Sequence, residues 1–145
     1  MATSSNLENL AKIGKLKAEA PAQSEIDGLV ASGRKRFNDA KNPAITLDSR
    51  FDLAYAAAHA FSLAALRWYG YRSENRYLVF QVLPHTLGVT DRQWRLLALC
   101  HERRNKIEYE GISEVDEGLV SELVQVTEEV LRRVAALGPV KAPSA

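Results

Sequence analysis

Apolar residues recur along most of this chain at i, i+3, i+4 and i+7, the period of helices buried along one side. The clearest stripe is Phe51, Ala54, Tyr55, Ala58, Ser62, Ala65, Leu66 and Tyr69. Its opposite face carries Leu53, Ala56, Ala57, Ala60 and Leu63. The spacing therefore predicts a helix beginning near Thr46 or Asp48 that is apolar nearly all round and sits in the middle of a bundle. Before it, Ser5 with Glu8 resembles a capping box ahead of Leu7, Leu10 and Ala11, and Pro21 breaks that segment. Ser24 with Asp27 predicts the cap of a second helix carrying Ile26, Leu29, Val30 and Phe37, closed by Asn42-Pro43.

Beyond the central stripe, Tyr77–Leu83 is rich in strand-favouring residues. A lone strand among helices has no pairing partner, so the segment is expected to be helical and to end at Pro84 or Gly88. Thr90 and Gln93 form a capping box for a helix with Trp94, Leu97 and Ala98 inward, running to about Tyr109 and stopping before Gly111. Ser113 with Asp116 caps the last helix, whose inner face is Leu119, Leu123, Val126, Val130, Val134 and Leu137 before Gly138-Pro139. The expected architecture is an all-α, antiparallel helical bundle of five to six helices over residues 21–138. Residues 1–20 are read as an extension with a short helix, and 139–145 as a flexible tail.

Composition narrows the function classes without naming one. The 145 residues are 46% hydrophobic and 26% charged, an ordinary globular balance. Nineteen basic residues against 18 acidic ones give a net charge of +1, which removes the simple case for a strongly basic nucleic-acid binder but leaves room for a local patch. A single cysteine, Cys100, excludes a disulfide framework and a cysteine-built zinc site, and core packing is its expected role. The start Met1–Ser5 lacks the basic and apolar regions of a signal peptide. The most apolar run, Leu53–Leu66, is 14 residues, short of the roughly 20 that span a bilayer. A cytoplasmic protein without a membrane segment is expected.

The candidate chemistry lies where the fifth helix changes character. Trp94, Leu97 and Ala98 are apolar, yet His101, Arg104, Asn105 and Glu108 continue the same face. Such a stripe must meet solvent, a partner chain or a polar network, because an amide buried without a partner costs on the order of 2–7 kcal/mol. The bland account is a wet helix end with Arg104 paired to Glu108, an interaction of about 0.3–0.5 kcal/mol. The sharper account is a functional surface.

That segment, His-Glu-Arg-Arg-Asn-Lys-Ile-Glu-Tyr-Glu-Gly at 101–111, resembles the signature region of HEPN-domain proteins, a family of small prokaryotic helical bundles. The family motif is an Arg, commonly followed by a polar residue such as Asn, and then a His. Here Arg104 matches the Arg, Asn105 the polar residue, and Tyr109 stands where the His would be. The helix from Ser49 to Tyr71, ending in Gly-Tyr, and the segment 79–88 also look like that family's central and following helices, so the resemblance covers roughly Ser24 to Leu137.

The resemblance implies a homodimer that brings two motifs together in a cleft, in a toxin–antitoxin or defence-type module. Many members are metal-independent ribonucleases. Others are paired with a minimal nucleotidyltransferase antitoxin, which in some cases adds AMP to a Tyr near the motif. Arg104-Asn-Lys-Ile-Glu-Tyr109 falls in a branch with Tyr in place of His, where cleavage is weak or absent. On this reading Arg104, Tyr109 and His101 are the candidate catalytic residues. Arg103, Arg104, Asn105 and Lys106 are the candidate RNA- or nucleotide-binding ones, with Asn105 orienting Arg104 and Glu108 balancing it.

The chemistry explains the doubt about cleavage. Metal-free RNA cleavage needs a base for the 2′-hydroxyl proton and a cationic donor for the phosphate. Arg104 suits the second task because its planar guanidinium gives paired donors. Histidine suits the first because its usual pKa lies near operating pH, whereas tyrosines ordinarily titrate near 10. Loss of acid–base help typically costs about 10²–10⁴-fold in rate. His101, one turn before Arg104, is the only local substitute, and its alternative role is positional. His59 in the central helix is expected to be a core residue with one hydrogen bond, reaching toward Arg104, and His85 a turn residue. Three scattered histidines make a metal site improbable, and no cofactor is expected.

Basic residues at 34–36, Arg67, Arg72, Arg76 and Arg103-Arg104-Lys106 would favour RNA if a bundle gathered them around one cleft. Trp68, Tyr69 and Tyr71 would then offer stacking for a base. Otherwise these are solvated faces and core covers. Two further readings stay open beside the binding one: an active endoribonuclease toxin using Arg104 with His101 or Tyr109, and a helical interaction module with no nucleic-acid role.

Overall fold

The computed structural model describes residues 2–140. Among them the chain forms seven helical segments and one minimal strand pair. In order these are α1 (Ala2–Lys12), β1 (Lys17–Ala18), α2 (Gln23–Ala40), α3 (Leu47–Trp68), β2 (Tyr71–Arg72), α4 (Arg76–Gln81), α5 (Leu83–Thr86), α6 (Asp91–Glu110) and α7 (Glu117–Ala135). The molecule is an all-α bundle, as the periodicity predicts. No helix among the described residues is long and apolar enough to cross a membrane.

The helix that is apolar all round is the hub. α3 packs against α2, α4, α6 and α7, and Phe51, Ala54, Tyr55, Ala57, Ala58, Phe61, Ala64 and Ala65 are buried. Its alanines let neighbours approach closely while its aromatics fill the space between them. Burial of each large side chain is worth roughly 1.5–3 kcal/mol. Gly33 of α2 marks the tightest approach: a Cβ there would lie 2.5 Å from the Phe61 ring. A second apolar cluster of Leu7, Leu16, Leu66, Leu78, Val79 and Val82 seats α1 on the bundle.

Several boundaries depart from their expected signals, each for a visible reason. α1 begins at Ala2, so Ser5 lies inside the helix, which is positioned by the burial of Leu7. α2 starts at Gln23 after Ala22, with no side-chain cap from Ser24, while Asp27 accepts a hydrogen bond from Gln23 Nε2 at 2.8 Å. α3 stops at Trp68 because Gly70, with φ of +89°, turns the chain into β2. β2 pairs antiparallel with β1, Lys17 opposite Arg72 and Ala18 opposite Tyr71. Two residues per strand are too few to carry a sequence period.

The ambiguous segment is helical. The Asn75 side chain accepts the Leu78 amide hydrogen to open α4, and the helix breaks at Val82 before Pro84, which enters the first turn of α5. The capping box of Thr90 and Gln93 forms in full, and Gly111 ends α6 in the left-handed region at φ of +69°. Asp116 caps α7 by accepting from the Leu119 amide. Ser113 does not share that task, since its hydroxyl donates to Asp48 Oδ1 at 2.9 Å. Of the expected tail, residues 141–145 lie outside the described residues. The Val140 amide donates to Gln23 Oε1 at 2.7 Å, and Trp68 Nε1 donates to the Gly138 carbonyl at 3.1 Å.

Candidate functional site

The polar end of the α6 stripe meets α3 at one aromatic ring. Tyr55, only 1% exposed, presents its hydroxyl to His101 Nδ1 at 2.8 Å, and the two rings stack with centroids 6.2 Å apart. One turn on, the Asn105 side-chain amide lies 3.3 Å from His101 Nε2. Both imidazole nitrogens are therefore engaged. Two guanidinium groups share the Tyr55 ring: Arg104 at 5.3 Å from its centroid and Arg76, the first residue of α4, at 5.9 Å. Arg104 also donates to Glu108 Oε2 at 2.9 Å.

This grouping follows from helical spacing. His101, Arg104 and Asn105 stand at i, i+3 and i+4 and so share a face of α6. Tyr55 projects from α3 onto that face, and α4 brings Arg76 in from the side. Asn105 hydrogen-bonds His101, so its positioning role is toward the histidine and not toward Arg104. Glu108 does balance Arg104, and with the Arg104 side chain 32% and the Glu108 side chain 50% exposed the pair is loosely held.

Burial and cation proximity set the protonation states. The His101 pKa is lowered, first by desolvation and then by Arg76 and Arg104, which keeps the imidazole neutral near pH 7. His59 is pushed down to about 4 by burial, with smaller effects from Arg76, His101 and Arg104. It lies edge-on to Phe80 at 6.0 Å rather than hydrogen-bonded toward Arg104. Burial raises the Tyr55 hydroxyl, against opposing effects from Arg76 and Arg104. Asp52 is raised by desolvation, opposed by Arg104 and assisted by Asp48 and Glu108. The Cys100 thiol is pushed up to about 12 by burial, the state of an inert core sulfur.

The other expected site residues divide. Tyr109 is 78% exposed at the end of α6. Arg103 donates to the Glu114 carbonyl at 2.7 Å, and Lys106 Nζ to Glu114 Oε1 at 2.8 Å. These two cations hold the α6–α7 connection, apart from the Tyr55 cluster. Arg67 is buried, donating to Glu25 and to the carbonyls of Glu19, Ala20 and Tyr71, and Arg72 pairs with the same two glutamates. Neither is free for a phosphate. Arg34 lines a groove between α2 and α7. The basic residues therefore do not surround one cleft.

Trp68 and Tyr69 pack edge-on against each other, and Tyr71 lies in β2, so the expected stacking surface is committed to packing. His85 Nδ1 lies 3.2 Å from the Asn6 side chain. No group of three histidine, cysteine or acidic side chains among the described residues could hold a metal ion.

Comparison with known proteins adds no relative. No family model, curated protein or solved structure matches this chain. Its function must be argued from the site.

The sequence placed Arg76 among the basic residues that a cleft would gather, but gave no sign of Tyr55 and Asp52 as members of the site. Tyr55 is indistinguishable in the α3 stripe from any core aromatic, and Arg76 reaches the ring only through the turn after β2. The one available hint was that a hydroxyl buried on a central helix needs a partner, and His101 and Arg104 were the polar residues left to supply it.

Proposed function

We propose that this protein is a HEPN-like RNA- or nucleotide-contacting component of a prokaryotic toxin–antitoxin or defence-type module, homodimeric and partnered by a minimal nucleotidyltransferase, with weak or absent nuclease activity. The observation that carries the reading is the pair of guanidinium groups over Tyr55. Arg104 is partly exposed, pre-oriented by the ring and held by a carboxylate that gives way easily to a phosphate oxygen. Arg76 stands beside it and forms no ion pair among the described residues.

Binding is favoured over cleavage by the state of His101. Its two nitrogens face Tyr55 and Asn105, so accepting a 2′-hydroxyl proton requires one of these bonds to break. Tyr109 offers a phenol for stacking or for modification by the partner. The endoribonuclease reading keeps one point in its favour, because His101 and Arg104 act on the same ring and stand one turn apart.

The test uses fluorescent single-stranded RNA in EDTA with the wild-type protein, Arg104→Ala and His101→Ala. The proposal expects binding that Arg104→Ala weakens by roughly 10–100-fold, the loss of a charged hydrogen-bond donor, without cleavage above the variants. Cleavage that disappears in both variants would establish the nuclease instead. No RNA or nucleotide binding by the wild type would leave a helical interaction module. Sedimentation checks the dimer, and a nucleotidyltransferase reading frame beside this one, followed by co-purification, checks the partner.

A further inference from the structure

The Tyr55 cluster does not end at His101. The Tyr77 ring meets His101 edge-on at 6.5 Å, and Trp94 meets Tyr77 at 6.1 Å and 90°. Together with the 6.2 Å Tyr55–His101 stack these rings form a continuous file along the seam of α4 and α6. At its outer end lies a groove of about 390 Å³ lined by Tyr77, Trp94, Arg95, Ala98, Leu99 and Glu102.

Helix geometry opens that groove. Trp94, Ala98 and Glu102 follow one another at i, i+4 and i+8, and the small Ala98 leaves a gap between a ring and a carboxylate. Tyr77, 40% exposed, forms the opposite wall. The walls are preset: Trp94 Nε1 donates to Asp91 Oδ1 at 3.2 Å, and the Arg95 guanidinium lies 5.7 Å over the indole. Arg76 and Arg95 form no ion pair among the described residues, so each lies over a ring of the file without a carboxylate partner. A groove whose two rings stand perpendicular, bordered by guanidinium groups with no carboxylate partner, offers a ring face to one nucleobase and cations to its flanking phosphates. Glu102 at the rim suits an exocyclic amino group, which it would accept as a hydrogen-bond donor.

We propose that the Tyr77–Trp94 groove is a nucleobase subsite, taking an amino-bearing base of single-stranded RNA whose phosphates run from Arg95 toward Arg76 and Arg104. The inference rests on the reading of Arg104 as an RNA contact and adds to it a path and a base preference. The strand then follows α6 from Arg95 to Arg104, and Arg103 and Lys106 stay outside the path.

The test titrates oligocytidine and oligouridine dodecamers, in EDTA, into the Trp68→Phe protein, where Trp94 is the sole tryptophan. Oligocytidine is expected to quench Trp94 fluorescence and to bind tighter than oligouridine. Tyr77→Ala should weaken oligocytidine binding roughly ten-fold, and Arg95→Ala should lower the salt slope by about 0.7. Glu102→Gln, with a donor as well as an acceptor, should abolish the preference. If Arg104→Ala weakens binding while Tyr77→Ala and Arg95→Ala do not, the subsite is overturned and the Arg104 reading survives. Equal affinity for the two RNAs overturns the assignment of Glu102, and no binding to either overturns both readings. A dimer that Tyr77→Ala dissociates, with Trp94 unquenched by RNA, would assign the groove to a second copy of the chain.

Discussion

Replacing Arg67 by Met probes how the amino-terminal arm is held. Arg67 is 1% exposed near the end of α3 and donates to Glu25 Oε1 at 2.7 Å, the Ala20 carbonyl at 2.8 Å, the Glu19 carbonyl at 2.9 Å and the Tyr71 carbonyl at 3.3 Å. Met fills similar volume and supplies none of these donors. Removing one partner of a buried ion pair costs about 3–5 kcal/mol when the other charge is left alone. Here Arg72 still holds Glu25, so the loss comes chiefly from the three carbonyls, and the expected destabilisation is about 3 kcal/mol.

At about 4 °C per kcal/mol for a chain of this size, the melting temperature should fall by roughly 12 °C. Calorimetry measures that, and hydrogen exchange should show protection lost first around β1 and β2. The same clamp has a pH signature. The hydrogen bonds from Arg67 and then Arg72 hold the Glu25 pKa below its usual 4.5. Its stabilisation is therefore full above pH 4.5 and is lost as the pH falls through the lower folded-state value. A melting temperature within a couple of degrees of wild type, with the arm still protected, would refute the account.

Gly33→Ala should destabilise despite Ala's better helix propensity, since the new methyl meets the fully buried Phe61 ring at 2.5 Å; overpacking of about 1–3 kcal/mol against a propensity gain of about 1 leaves a net loss in denaturant titration. His59, neutral in the fold down to about pH 4, makes the unfolded chain bind more protons between its usual 6.5 and that value. Stability should fall across this window as pH drops, and His59→Leu should flatten the slope in melts collected from pH 7 to 4. Tyr55→Phe keeps the ring under both guanidinium groups but removes the 2.8 Å bond to His101, so stability should drop by about 1 kcal/mol with an unchanged denaturant slope.

What the sequence determined by itself was local. The i, i+3, i+4 stripe of α3 announced a central helix, and Thr90 with Gln93, Gly111 and Asp116 each marked a helix end, because caps answer to nearby backbone groups. The polar turn of the α6 stripe at His101, Arg104 and Asn105 also pointed to the site, since apolar periodicity cannot stop inside a core without a reason.

Tertiary packing decided the rest. Whether Arg67 served a phosphate or a buried clamp depended on Glu19 and Glu25, more than forty positions away in sequence, and no helical period links them. The same holds for Tyr55, whose hydroxyl meets His101 46 residues on, and for Tyr77 and Trp94, joined only where α4 folds onto α6. Side chains on one helix are related by its fixed pitch, so their grouping can be read from spacing alone. Groups on different helices meet only through how the bundle packs, and that is where the aromatic file and its cations are assembled.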